Sequence, residues 1–430
     1  MAGRWFYLFA AVVGLVALGG AATMARSADH SGAHRIHSDS AIREQDIAFY
    51  QARVEHDRYG ATDRAQLSRL YLARARESGD PGDLLRAERS ARSSLALRHG
   101  RNGTALAVLA STLLGQHRFP EALETADRLL TFDSASAGAR SLVGEIQLEL
   151  GRYDEARRTF GMLAMRRGEP AVAPRYARWL EVTGRPLEAR RLLHEARNAA
   201  VGAHGTPDEQ IAWFQLRVGE LAMRQGHLEE AGREFKRGLS LQPRDYRLLG
   251  AMARLELTSG RARAAIDYGE RAIGLALDPV TLGVLHDAYE SLGERPQAEQ
   301  YARAMELSVL NQPGPLHRAW SMFLLDHDRD IATVLARAEE EIRTRQDVYG
   351  WDLLAWALHH AGRRAEAREA STRALALGTR DAVLHYHAGL IQLALADTAG
   401  ATRHLEEALA INPYWHPTQP RAVRALLKSL

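Results

Sequence analysis

Along most of this chain, small and apolar residues keep to set places in a recurring unit, and short polar turns between them share one frame. The frame is glycine, four residues, then alanine: Gly151 to Ala156, Gly184 to Ala189, Gly226 to Ala231, Gly260 to Ala265, Gly293 to Ala298 and Gly362 to Ala367. His117 to Ala122 and Ala396 to Ala401 keep the frame without the glycine. Successive starts lie 34, 33, 42, 34, 33, 69 and 34 residues apart, so the period is near 34 and the longest step spans two units. Self-similarity at that period predicts an array of helix pairs in which each pair contacts only its neighbours. The glycine suits the left-handed turn that ends the first helix of a pair.

Nine units align, beginning near residues 103, 137, 170, 212, 246, 279, 313, 348 and 382. With the frame alanine as position 20, the nine alanines are Ala122, Ala156, Ala189, Ala231, Ala265, Ala298, Ala332, Ala367 and Ala401. Position 8 is small in seven units: Ala110, Gly144, Ala177, Gly219, Ala253, Ala355 and Gly389. Small residues there let the paired helices approach closely, so both positions are read as packing. Tyr153, Phe160, Phe235 and Tyr289 add aromatics, and Pro243 and Pro413 close two units. On these residues the chain resembles the tetratricopeptide repeat family over about three quarters of its length. The resemblance implies an all-α fold, an α-solenoid of about nine to ten such repeats forming a right-handed superhelix.

The departures divide the chain. Residues 1–27 are read as a signal peptide or N-terminal membrane anchor, 28–40 as a disordered tether, and 41–102 as capping helices with a degenerate repeat. Repeats fill 103–203 and 212–415, with an inter-block loop at 204–211 where eight extra residues break the phase. A capping helix is expected in 416–430, after Pro417 and Pro420. The unit at 313 carries Trp320 at position 8 and His327 at position 15, and is expected to pack irregularly.

Composition narrows the function classes. With 56 basic and 53 acidic residues the formal net charge is +3, too small a field to recruit nucleic acid. Cysteine is absent, which removes disulfides, thiolate metal sites and cysteine nucleophiles. No phosphate loop, nucleophile elbow or HExxH motif occurs, so no enzyme and no cofactor is expected. Arg4, the uncharged run from Trp5 to Leu18 and the small residues that follow fit an export signal, or an anchor over residues 5–24 associating with the membrane. Either places the repeats outside the cytoplasmic membrane, in the periplasm or beyond.

In the resembled family, ligands lie in the concave groove against first-helix positions near 2, 5, 9, 12 and 13. Carried over one unit at a time, those positions hold Tyr349, Asp352, Trp356, His359 and His360 in the unit at 348, and Tyr386 in the unit at 382. They hold Trp213, Glu220 and Arg224 in the unit at 212, Arg254 in the unit at 246, and Asp287 in the unit at 279. Aromatics beside polar groups suit a protein or peptide interface. The expected function is therefore a non-catalytic scaffold or adaptor of the cell envelope. The alternative is an extracytoplasmic Ni or Cu carrier, because eight of the 18 histidines fall between His317 and His416.

Overall fold

The structure, a computed structural model, describes residues 39–310 and 318–430. The export or anchor segment and most of the tether lie outside these residues. Among the described residues the regular structure is entirely helical. A leading helix, Asp39–His56, is followed by the pair Ala61–Ser78 and Pro81–Leu97, and then by nine further pairs running from Gly103–Gly115 with Phe119–Phe132 to Ala382–Ala394 with Thr398–Ile411. Gln419–Leu427 closes the chain.

The repeated turn works as its residues require. Gly151 has φ 73°, its N–H bonds the Leu148 carbonyl at 3.0 Å, and the Arg152 N–H bonds the Gln147 carbonyl at 2.8 Å. This paired capping satisfies carbonyls the helix end would leave orphaned, and needs a left-handed residue at the corner. Many first helices start on an aspartate that caps them: Asp245, Asp278, Asp347 and Asp381 each accept from backbone N–H groups of the first turn. Position 8 faces the partner helix at close range. A Cβ on Gly144 would lie 2.8 Å from the Phe160 ring, and one on Gly219 would lie 2.4 Å from Phe235.

One unit is out of frame. Ala332 is exposed, and Val334 fills the fully buried place that alanine holds in the other eight. The positive φ falls on Asp328, one residue later than expected, and again on Asp330. The unit therefore starts one residue later, and its position 8 is the buried Ser321 and not Trp320. The identities of 332 and 320 misled because the frame gains one residue ahead of Trp320 and a second inside the turn. The extra residues near 204–211 are taken up mainly by longer helices, Pro186–Gly202 and Asp208–Arg224. The apolar core runs through this point, with Phe214, Val218 and Leu221 in one cluster with Leu192 and Leu193.

The array winds back on itself. Connections leading into the eighth and ninth units pack against the turns of the second and third, forming a seam. The Gln346 N–H bonds the Leu150 carbonyl at 3.3 Å, and the Val348 N–H bonds the Tyr153 hydroxyl at 2.6 Å. Arg345 pairs with Glu149 at 2.9 Å and lies 5.1 Å over the Phe119 ring. Further along, Thr379 donates to the Val182 carbonyl at 2.5 Å and Asn412 donates to the Met223 carbonyl at 3.1 Å. Val182, Val348 and Leu384 make a small apolar cluster across the same seam. The glycines lie under it without room for a side chain: a Cβ on Gly184 would stand 2.2 Å from the Gly378 carbonyl oxygen.

Candidate functional site

Because the array winds back on itself, the first-helix faces that would line an open groove converge on a cavity of about 440 Å³ that stays partly open to solvent. Its wall carries eight arginines: Arg76, Arg178, Arg217, Arg224, Arg247, Arg254, Arg318 and Arg345. The carboxylates on the wall are Glu220, Asp278 and Asp381. Most of the guanidiniums are held from behind by acids that do not reach the wall. Glu181 pairs with Arg224 at 2.6 Å and Arg178 at 3.2 Å, Asp245 with Arg247 at 2.6 Å, and Asp352 with Arg318 at 2.9 Å. Arg217 pairs with Glu220 on the wall itself. A guanidinium has five N–H donors, so a carboxylate behind it fixes its plane and leaves donors for the cavity.

Arg76 and Arg254 differ. Neither makes an ion pair among the described residues, and the Nε of each is buried without a partner. Burial, reinforced by the charge of Arg175, pushes the Arg76 guanidinium down to about 10. Burial also lowers Arg254, with Arg224 adding repulsion against the attraction of Glu220 and Asp278. Tyr349 is sandwiched, with Arg178 5.0 Å and Arg318 5.1 Å from its ring centre. Burial pushes its hydroxyl up to about 12. Trp213, Tyr414 and Trp415 give the wall flat apolar patches between cations.

The residues expected from sequence thus split into two groups. Trp213, Glu220, Arg224, Arg254 and Tyr349 meet in the cavity wall. Asp352, Trp356, His359, His360 and Tyr386 do not line it and pack together, with Asp352 and Trp356 buried and the other three partly exposed. Trp356 is 4% exposed, stacks on His387 at 4.2 Å and donates from Nε1 to Asp326 at 3.1 Å. Asp352 is 2% exposed and takes His387 at 2.8 Å as well as Arg318. A partner cannot reach Trp356 or Asp352, so their place at the groove positions is a packing role. Burial, with His360 and His387 nearby, holds His359 down at about 4.

Several wall residues escaped the sequence reading. Arg178 sits at position 9 of the unit at 170, and Arg318 at position 5 once its unit is started one residue later. Arg76 comes from the degenerate leading pair and Arg345 from an inter-repeat connection, so no frame could point to them.

No protein-family model matches the chain, and no curated protein matches it in sequence. Among solved structures, the Cut9–Hcn1 hetero-tetramer of the APC/C matches at 16% identity and TM-score 0.37, covering 91% of this chain and 94% of that one. PilW, a type IV pilus biogenesis factor, matches at 19% identity and TM-score 0.41, covering 52% and 99%. A tetratricopeptide repeat protein from Parabacteroides merdae matches at 16% identity and TM-score 0.39, covering 56% and 93%. None of these likenesses bears on what this chain binds. Its own 34-residue frame and stacked helix pairs make it an all-α solenoid of helix–turn–helix units that resemble the tetratricopeptide repeat.

Proposed function

We propose that this protein is a non-catalytic scaffold that takes a short acidic segment of a partner protein into its arginine-lined interior. The observation that supports this reading is the pair Arg76 and Arg254, two cations on the cavity wall that make no ion pair among the described residues. A partly buried cation without an ion pair is unfavourable, and an incoming carboxylate relieves that. Charge-assisted hydrogen bonds to guanidinium are the strong ones, and the tyrosine and tryptophans around them supply apolar contact for the peptide's own backbone and side chains. A volume of about 440 Å³ admits only a few residues, so the recognised element is short.

The apolar run from Trp5 to Leu18 supports a place at the cell envelope, with the repeats outside the cytoplasmic membrane and the run either removed or retained as an anchor. Among the described residues no helix is long and apolar enough to cross a membrane. N-terminal sequencing of the protein recovered from a membrane fraction decides between removal and retention.

The binding test uses a fluorescent Glu-rich peptide and its Gln-rich counterpart, read by anisotropy. The acidic peptide is expected to bind, and to weaken as salt rises. Arg76→Met with Arg254→Met should weaken it at least about a hundredfold, from about 1.5–3 kcal/mol lost for each of two charged hydrogen bonds. Equal binding of the two peptides, or no effect of the double change, overturns the proposal.

A further inference from the structure

A second feature lies apart from the arginine wall. In the unit starting at 279, position 8 is His286, where the other eight units place alanine, glycine or serine. The slot opposite, filled by Phe160 and Phe235 in two other units, holds Ala302. The imidazole seated there is 1% exposed. A purely structural core has no reason to bury a histidine with an open ring nitrogen, yet His286 Nε2 has no partner. Its ring lies edge-on to Phe323 at 4.8 Å and to His327 at 4.6 Å.

The other ring nitrogen is aimed at a neighbour. His286 Nδ1 stands 2.9 Å from Asp287 Oδ1, and His327 Nε2 stands 3.2 Å from the same oxygen. His327 reaches this point from the next unit, at the start of the turn whose frame is displaced and whose Asp328 and Asp330 carry positive φ. One donor atom from each of the three residues lies within 4.8 Å of the other two. Two atoms each about 2.1 Å from one ion at a tetrahedral angle are about 3.4 Å apart, so small rotations would place all three on a single ion.

We propose that His286, Asp287 and His327 bind one divalent transition-metal ion of the zinc class, clamping the unit at 279 to the unit that follows. Two imidazoles and one carboxylate are the donor set such ions prefer, and they leave a coordination position for water or a further ligand. On binding, each imidazole would turn the nitrogen facing Asp287 into a lone-pair donor, with its proton on the other ring nitrogen, and the ion would take the place of the shared hydrogens.

The test uses the full chain, stripped with EDTA and titrated with Zn²⁺ by calorimetry, with Co²⁺ as a spectroscopic substitute. One equivalent should bind, give the visible bands of low-symmetry cobalt, and raise the melting temperature. His327→Ala and Asp287→Asn are both at partly exposed side chains and should leave the fold intact by circular dichroism. Each should weaken Zn²⁺ at least about tenfold and abolish the melting shift. His385 and His404, whose Nδ1 atoms are 3.2 Å apart, serve as the control pair, and His404→Ala should change nothing. No stoichiometric binding overturns the proposal, as does binding that survives both changes or that disappears with His404→Ala.

Discussion

Gly184→Ala tests whether the array is closed in solution. Gly184 has φ 75°, and an added Cβ would meet the Gly378 carbonyl oxygen at 2.2 Å. Gly260 is the matched control, with φ 76° and nothing within 4 Å of the same added atom. Both substitutions carry the left-handed penalty of an L side chain, about 1–2 kcal/mol. Gly184→Ala carries a further clash with main chain, which has no rotamer to move away. Overpacking of that kind adds about 1–3 kcal/mol. The seam can respond in two ways: it holds and the whole protein loses stability, or it parts and its own hydrogen bonds open. Urea denaturation and small-angle scattering read the first and second respectively, and amide exchange at Gln346, bonded across the seam to Leu150, reads the opening directly. The expected result is a loss for Gly184→Ala that exceeds that of Gly260→Ala by at least about 1 kcal/mol, or faster Gln346 exchange with a larger radius of gyration. Equal denaturation midpoints, with unchanged scattering and exchange in both variants, would show that the units do not close into a cavity, and the arginine wall would lose its enclosure.

Trp356→Ala should destabilise by about 3–5 kcal/mol in urea, because it empties a buried site and strips Asp326 of its indole donor. Arg254→Met should leave stability unchanged or raise it by about 1 kcal/mol, since it removes a buried cation that has no carboxylate, while the same change lowers acidic-peptide affinity. Acidification should weaken the fold. Burial holds His117, His359 and His385 at about 4, each also repelled by a neighbouring cation or imidazole. A base depressed in the folded state stabilises it above the unfolded value near 6.5 and loses that contribution as pH falls toward 4. The urea midpoint should therefore drop between pH 7 and pH 4.5, and His117→Gln with His385→Gln should flatten the drop.

What the chain declares locally was legible in its residues. A left-handed turn needs glycine or a tolerant substitute, a close helix pair needs a small residue at position 8, and both recur often enough to set the period. The architecture of helix pairs follows, because these demands are met within about 34 residues of one another. The failures have one origin. At Ala332 and Trp320 the letters agreed with an expected frame or broke it while the turn had gained a residue, and only burial shows that Val334 and Ser321 hold the inward places. At Trp356, a groove position in one unit was covered by its neighbours, since exposure depends on the next helix and not on the residue's own register.

Closure lay beyond any repeat-by-repeat reading. The curvature of a solenoid is the sum of small rotations between successive units, set by side-chain volumes at each interface. Whether Gly151 and Gly184 come to lie under Gln346 and Gly378, nearly two hundred residues later, depends on that sum. The sequence by itself determined the helix pairs, their turns and their order. The tertiary structure alone decided that eight arginines from several parts of the array share one cavity wall, and that His286, Asp287 and His327 from two units share one point. Both are meetings across helices, where long-range geometry and not local periodicity places the atoms.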